Sequence, residues 1–309
     1  MKKTHAIIYP LALVSLLFCF CLSAISHAEG IDATSEKVPM KNKENERTIY
    51  RTDSELFFYG LKLRQQHDKK SMVLSSYSMT FNGKKIELKE FAEGYFGFDD
   101  DAGVYLDFPN KGDITLLTKY SSGGAGGFVS FFITKSNNDI YINAIDPGRA
   151  AVRVVSVNDK KYAICGTNCI SYICKASTPN DMGDAVPFRV LSFSNGRFHP
   201  GKIGEHVDVY GYFVKDEQIE MQKNDQTIKR IKYIKDKYER EDQLLKYIQS
   251  PLIRLSFYMI MAGMKPEDVV KSFQKINGMA NIVQDTLKEA KNTSLEGTEG
   301  FHAHLTVLP

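Results

Sequence analysis

The stretch from Ile49 to Val214 is divided into short apolar runs by turn-forming residues, and this pattern constrains the fold more than any other feature. Asn82-Gly83 stands between two such runs, and this dipeptide is the strongest short-range signal of a β-hairpin. The runs are closely spaced and not interleaved with helices. They therefore predict antiparallel strands in a sandwich or barrel and argue against a parallel nucleotide-binding sheet. The predicted strands are Ser71–Phe81, Lys84–Leu88, Gly103–Phe108, Ile114–Tyr120, Phe128–Thr134, Asp139–Ala144, Ala151–Val157, Lys161–Cys165, Phe188–Phe193 and His206–Val214.

The segment Ser54–Arg64 carries two conflicting signals. Thr52 and Glu55 have the spacing of a capping box, which begins a helix. Leu61-Lys62-Leu63-Arg64 instead alternates between apolar and charged residues, as a half-buried strand does. We interpret the segment as strand.

From about Gln218 to Lys291 the spacing of apolar residues becomes helical. Apolar residues three, four or seven positions apart form one stripe, and lysines cover the other faces, as in an amphipathic helix. The stripe consists of Ile228, Ile231, Ile234, Tyr238, Leu245 and Ile248.

Breaks in the pattern divide this region into several helices. Ser250-Pro251 is predicted to end the first helix and to begin the next, with Ser250 as its N-cap. Gly263 is expected to end that second helix. A third helix opens at Lys265, Asn277-Gly278 breaks it, and a last helix spans Met279–Lys291.

Together these patterns predict an α+β protein, with an antiparallel β-sandwich or barrel-like N-terminal part followed by a helical C-terminal part. The predicted divisions are a signal peptide at 1–28, a flexible linker at 29–48, a β-rich domain at 49–215, a helical region at 216–292 and a tail at 293–309. The helical region is near the lower size limit for an independent core, so we expect it to pack on the β domain or on a partner. Within the tail, Leu305–Leu308 is expected to add an edge strand.

The first 28 residues have the order of a bacterial secretory leader. Lys2 and Lys3 precede an apolar run from Ile7 to Ile25, and Ser26-His27-Ala28 places small residues before a cleavage site. Export to the periplasm or outside the cell follows from cleavage. The alternative is an uncleaved leader that anchors the chain in the inner membrane, because the run approaches the ~17–25 residues that span a bilayer. After cleavage, no transmembrane helix is expected.

The charge balance argues against a nucleic-acid-binding protein. The chain carries 40 basic and 37 acidic residues, and two of the basic residues belong to the leader. A mature chain this close to neutrality has no global field that attracts DNA or RNA. The expected partner is another envelope or secreted protein.

Three cysteines lie beyond the leader: Cys165, Cys169 and Cys174. In an oxidising compartment they are disulfide candidates, but three thiols cannot all pair within one chain. Loop-closure entropy is about 2–3 kcal/mol for a bridge from Cys165 to either of the others, so it does not choose between them. One structural bridge and one buried thiol are favoured over a reactive thiol, an intermolecular disulfide or a metal site.

Two loops are candidate binding surfaces. One is glycine-rich and joins two predicted strands, but it lacks the lysine and the following helix of a phosphate loop. The other is an acidic turn that lacks the correctly placed glycine and glutamate of a calcium loop. Solvated loops are favoured, and a partner-binding loop is the alternative for the first. The residues are Gly123, Gly124, Gly126 and Gly127 in the first loop, and Asp99 and Asp101 in the second.

Four histidines are candidates for metal ligands: His199, His206, His302 and His304. His302 and His304 would lie on one face of a strand, which suits zinc or copper. The tail is expected to fray, however, and the other two histidines fall near a turn. Surface histidines are therefore favoured, and neither a metal nor another cofactor is predicted.

No catalytic motif of high specificity occurs, since both G-x-S-x-G and H-E-x-x-H are absent from the sequence. The leading hypothesis is a non-catalytic exported protein that binds another protein in the bacterial envelope. One alternative is a periplasmic hydrolase or thiol enzyme that pairs Cys169 or Cys174 with a histidine. A second is a structural subunit of an envelope complex. The basic helix Lys229–Lys246 is a further candidate surface, although its acidic residues favour a salt-bridged, solvated face.

Overall fold

The computed structural model describes residues 31–41, 48–67, 74–87, 95–96, 102–121, 128–145, 152–166, 187–273, 279–291 and 302–306. The predicted leader lies outside these ranges. Cys169, Cys174 and both candidate loops also lie outside them.

The described chain contains strands, helices and one π-helical turn. The strands are β1 (Ile31–Asp32), β2 (Glu36–Lys37), β3 (Ile49–Arg51), β4 (Glu55–Phe58), β5 (Leu61–His67), β6 (Leu74–Phe81), β7 (Lys84–Ile86), β8 (Tyr95–Phe96), β9 (Gly103–Leu106), β10 (Ile114–Ser121), β11 (Phe128–Ser136), β12 (Asp139–Ile145), β13 (Val152–Val157), β14 (Lys160–Gly166), β15 (Phe188–Ser194), β16 (Arg197–Pro200) and β17 (His302–Thr306). The helices are α1 (Val207–Lys223), α2 (Asp225–Ile231), α3 (Lys237–Leu244), α4 (Ser250–Met261), α5 (Pro266–Ser272) and α6 (Met279–Lys291), and the π-helical turn is Leu245–Gln249.

The strands form three sheets. Most of them belong to one compact unit, the β unit, which comprises residues 31–166, 191–200 and 294–309. The first sheet has the order β1-β13-β14-β15-β16, and the third has the order β3-β4-β5-β6-β7. The second has the order β17-β12-β11-β10-β9-β2, with β8 also paired to β10. Antiparallel sheets followed by helices confirm the predicted α+β class, although no described sheet closes into a barrel.

The second sheet is buried on both faces. Along β11, Phe131 and Ile133 pack into one apolar cluster with residues of the third sheet, whereas Phe132 packs into another with residues of the first. All three side chains are fully buried, which explains why β11 is apolar almost throughout rather than alternating. The buried hydroxyls of Thr115 and Thr134 lie 2.9 Å apart and hydrogen-bond to each other.

Most of the strand predictions are confirmed in the described residues, with ends that differ by a few positions. Asn82-Gly83 is the turn between β6 and β7, and both residues have positive φ, at 48° and 79°, as a type I′ turn requires. Ser54–Arg64 is strand rather than helix, as interpreted, but it forms two paired strands, β4 and the start of β5, with a turn at Tyr59-Gly60 between them. Oγ1 of Thr52 accepts the N–H of Glu55 at 3.1 Å, so the bond typical of a helix cap here precedes β4.

The helices belong to a second compact unit, the helical unit, whose described residues are 187–190, 201–273 and 279–291. Helix α4 is its core. Every residue of α4 except Arg254 is buried, and the helix packs against α1 and α6. A helix that is apolar on all sides must be covered in this way. Arg254 forms an ion pair with Glu217 of α1.

Arg189 fixes the end of α6 within the helical unit. Its side chain is 2 % exposed, and Nη2 donates to the carbonyl oxygens of Glu289 at 2.7 Å and Ala290 at 2.8 Å. These carbonyls lie in the last turn of α6, where a cation stabilises the negative end of the helix dipole.

The predicted strand His206–Val214 is wrong, because α1 begins at Val207 and continues to Lys223. Residues 207–210 alternate as a strand does. Val209, Tyr210, Phe213 and Val214 also recur at helical spacing, and all four are buried. The window 207–210 is so short that it fits both the period of a strand and the period of a helix. The residues that continue α1 fit only the helical period.

The apolar stripe predicted for one helix is distributed over three elements. α2 ends at Ile231, and α3 begins at Lys237. Oδ1 of Asp236 accepts the N–H of Glu239 at 2.8 Å and caps α3. Tyr238 is therefore not a core residue, whereas the buried members of the stripe are Ile228, Ile231, Leu245 and Ile248.

The prediction that Ser250 caps a helix is wrong. The π-helical turn leads directly into α4, and no side chain caps that helix. Pro251 lies in the first turn of α4 as expected. Gly263, with a φ of 93°, follows the end of α4, and α6 spans Met279–Lys291 as predicted.

Both ends of the described chain contribute strands. β17 confirms an edge strand in the tail, although it begins at His302 rather than Leu305. β1 and β2 pair with β13 and β9, so part of the predicted linker is strand. Among the described helices, none has the length and apolar character to cross a membrane.

Candidate interaction surface

Cys165 lies in β14 opposite Val152 and is fully buried. The proposed bridges to Cys169 and Cys174 involve residues outside the described ranges, so the disulfide stays a prediction. Burial of Cys165 in the apolar cluster between the first and second sheets is consistent with a structural role for this residue.

The strands that flank the glycine-rich loop form a hairpin. β10 and β11 are antiparallel, and their last described pair is Ser121 opposite Phe128. The prediction that this loop joins two strands is confirmed. Gly123, Gly124, Gly126, Gly127, Asp99 and Asp101 themselves lie outside the described residues, so their role as binding loops stays a prediction.

The four candidate histidines are distributed over both units. His199 lies in β16 of the β unit, and His206 precedes α1 in the helical unit, with Nε2 3.8 Å from Oε1 of Glu205. His302 and His304 lie together in β17. In the part of the chain that the structure describes, no three metal-ligating side chains are grouped.

The histidines of β17 are occupied by contacts within the β unit. Nε2 of His302 lies 3.3 Å from the carbonyl oxygen of Gly196, and Nε2 of His304 lies 2.9 Å from Oδ1 of Asp139. Because a carboxylate only accepts, Nε2 of His304 carries the proton. The hydrogen bond from His304 lowers the pKa of Asp139, and burial lowers the pKa of His302.

The most exposed large apolar side chains in the described chain lie where α2 gives way to α3. Tyr233 is 72 % exposed and Tyr238 is 80 % exposed. Tyr233 follows the end of α2, and Tyr238 lies in the first turn of α3. We call residues 229–240 the tyrosine corner, a name that refers here to Tyr233 and Tyr238 and not to the tyrosine-corner motif of β-sandwiches.

The tyrosine corner is held by buried residues on both sides. Ile228 and Ile231 of α2 are buried, as is Leu245 after α3. The Asp236 cap fixes the first turn of α3. Tyr233 therefore follows a helix with two buried residues, whereas Tyr238 lies in a helix that has no buried residue of its own and continues into the buried Leu245.

The corner is also basic. Residues 229–240 include six basic and two acidic residues. Lys229 pairs with Asp225, and Lys237 lies 3.8 Å from Glu241. These pairs satisfy part of the charge, as the sequence predicted. Within the described chain no ion pair neutralises the remaining cations, which are Arg230, Lys232, Lys235 and Arg240.

One of those cations contacts a tyrosine directly. Nζ of Lys232 lies 4.8 Å from the centre of the Tyr233 ring, which is cation–π geometry. An aromatic ring with a solvated cation over it offers both apolar area and positive charge at one place. Tyrosine is one of the residue types that most often dominate binding energy at protein interfaces.

The sequence contained a signal for the corner that the periodicity obscured. Ile234 and Tyr238 continue the apolar stripe and so suggested one uninterrupted helix. Asp236 and Glu239, however, have the spacing of a helix N-cap with an acid at the third position. That signal separates α2 from α3 and leaves Tyr233 and Tyr238 on the surface.

Comparison with known proteins gives no relative, because no family model, no curated protein and no solved structure matches this chain.

Proposed function

We propose that this chain is an exported, non-catalytic interaction protein of the bacterial envelope, which binds another protein through the tyrosine corner. The observation that carries the proposal is the exposure of Tyr233 and Tyr238 at the junction of α2 and α3, beside cations that have no acidic partner in the described chain. Export itself rests on the leader, which lies outside the described residues.

The exposure of the two rings favours a binding role because it is costly in isolation. Leaving an apolar ring in water forgoes about 2 kcal/mol relative to burying it. Tyrosine is nevertheless well suited to an interface, since its rigid ring buries much area and its hydroxyl keeps a polar partner. A contact that covers both rings would form the centre of an interface.

The charge of the corner indicates the chemistry of the partner. Arg230, Lys232 and Lys235 surround Tyr233 in sequence and lack acidic partners in the described chain. Complementary charge accelerates association and selects among partners. The expected partner is a protein with an acidic surface that includes an apolar or proline-containing pocket for the rings.

Quantitative capture from host envelope fractions tests the proposal. The protein is expressed with its own leader, as wild type, as the double variant Tyr233→Ser/Tyr238→Ser, and as Val207→Ser. Val207 is the matched control, because it is an apolar side chain of the same unit that is 49 % exposed. The expected result is a stoichiometric protein whose affinity falls about thirtyfold or more in the double variant, equivalent to ~2 kcal/mol, and is unchanged by Val207→Ser.

A charge test separates a protein partner from an anionic membrane. Lys232→Glu/Lys235→Glu is expected to weaken binding of the captured protein, and added salt is expected to slow its association. Vesicles of phosphatidylcholine with phosphatidylglycerol provide the competing surface. The proposal is contradicted if the vesicles bind the corner and no protein does, or if the double variant captures its partner as well as wild type.

A further inference from the structure

The C-terminal strand β17 forms the outer edge of the second sheet. It pairs antiparallel with β12 over five residues, from Asp139 opposite Thr306 to Asn143 opposite His302. β12 comes from the middle of the chain, so a short segment near the chain end completes the sheet at a site formed by distant residues.

Both faces of β17 are recognised by β12 and its neighbours. On one face, Ala303 and Leu305 pack against the apolar cluster between the second and third sheets. On the other face, the His304 ring stacks on Tyr141 with centres 4.8 Å apart and planes 18° apart. His304 and Thr306 both bond to Oδ1 of Asp139, at 2.9 Å and 3.2 Å.

These contacts have the form of peptide recognition by strand addition. Backbone pairing supplies affinity in that mode, and pockets for alternate side chains supply selectivity. Here Leu305 packs against the apolar cluster, and His304 contacts the Asp139 carboxylate and the Tyr141 ring. The edge of β12 is therefore a strand-binding site with a defined ligand sequence, which the chain occupies with its own residues.

We infer that the edge of β12 also binds residues 302–306 of a second copy of this chain, so that two copies exchange β17 and form a dimer. A second copy provides the same backbone pairing, the same Leu305 contact and the same His304–Asp139 bond. Exchange of an identical element requires no new interface chemistry. The strand is only five residues long, pairs with one neighbour and is only partly buried, so its release costs few contacts of the β unit.

Isotope-resolved crosslinking tests this inference. The full chain is produced with ¹⁵N and with Thr306→p-benzoylphenylalanine, which places a photoreactive group opposite Asp139. It is mixed with unlabelled wild type over a series of protein concentrations and irradiated. Strand exchange predicts crosslinks between a labelled 302–306 peptide and an unlabelled β12 peptide, with a yield that rises with concentration. Crosslinks only between peptides of the same isotope, at every concentration, would overturn the inference.

Two variants exclude association through another surface. Leu305→Asp in the labelled chain is expected to abolish the mixed-isotope crosslinks, because a carboxylate packs unfavourably against the apolar cluster that Leu305 contacts. Leu106→Asp is the control, since Leu106 is an exposed leucine at the end of β9 in the same sheet, and it is expected to leave them unchanged. Persistence of mixed crosslinks with Leu305→Asp would also overturn the inference, because binding would then not use the β12 site.

Discussion

Arg254 donates through Nε to Oε1 of Glu217 at 2.8 Å, and this ion pair joins α4 to α1 inside the helical unit. The two side chains are 19 % and 13 % exposed. Burial raises the pKa of Glu217, while the neighbouring Arg254 acts in the opposite direction. Oε2 of Glu217 is buried without a hydrogen-bond partner among the described residues. The carboxylate therefore depends on Arg254 for most of its compensation.

Removal of Arg254 is expected to destabilise the helical unit. Arg254→Met leaves Glu217 buried without its cation and lowers the free energy of unfolding by about 3 kcal/mol. Adding Glu217→Met recovers most of the loss, because two apolar side chains of similar length replace the pair. Urea unfolding followed by circular dichroism measures both effects.

The control for that prediction is Lys271→Met. Lys271 and Asp268 form an exposed pair at 3.5 Å, which contributes less than ~0.5 kcal/mol. A loss for Arg254→Met no larger than that for Lys271→Met would show that the buried pair does not stabilise the unit.

Two Asn-Gly turns provide a matched test of packing in the β unit. Gly83 and Gly196 have similar positive φ values, 79° and 76°. A Cβ on Gly83 meets nothing within 4 Å, whereas one on Gly196 would lie 2.1 Å from Cδ1 of Tyr141. Gly83→Ala is expected to cost about 1–2 kcal/mol for the left-handed backbone alone. Gly196→Ala adds a clash and is expected to cost about 3 kcal/mol or more in urea unfolding. Equal losses would mean that the turn at Gly196 does not pack on Tyr141.

The attachment of β17 is expected to weaken in acid. The pKa of His302 is lower in the folded state than in the unfolded chain. The stability that His302 contributes to the attachment of β17 is therefore complete above the unfolded pKa of about 6.5, and it is lost as the pH falls from there through the folded pKa. Asp139 also has a lowered pKa, and its contribution is lost at lower pH still, as the pH falls below the ordinary range of an aspartate and through its folded pKa. The charged and titratable groups around the two sites are His304, Tyr141 and Arg197.

Amide hydrogen exchange of residues 302–306, corrected for intrinsic exchange at each pH, measures this attachment. Protection is expected to fall in wild type as the pH drops below about 6.5 and through the lowered folded pKa of His302, and to fall less in His302→Gln, which cannot titrate. A loss of protection that is the same in both proteins would contradict the role assigned to His302.

The sequence predicted the β part well because its signals are local. The Asn82-Gly83 turn needs only two residues that tolerate positive φ, and the flanking runs determine the register. The order of the sheets did not follow from such signals. Phe131 and Phe132 adjoin in sequence but pack into different clusters, and only the three-dimensional arrangement assigns each face a partner.

The helical part shows where apolar periodicity misleads. Val207-Asp208-Val209-Tyr210 satisfies a strand pattern, yet Phe213 and Val214 complete a helical face that is buried. Tyr238 falls on the predicted stripe, but the Asp236 cap begins a new helix and turns the ring to solvent. Periodicity identifies which residues share a face and does not show whether anything covers it.

Photocrosslinking in the native host tests the role of the tyrosine corner most directly. p-Benzoylphenylalanine is placed at Tyr238 and, as a control, at Lys223, another exposed position of the helical unit. Binding through the corner predicts one abundant protein adduct from position 238 and little or none from position 223, with loss of the adduct when Lys232→Glu/Lys235→Glu is added. No protein adduct from position 238, or equal adducts from both positions, would contradict a protein-binding function at this site.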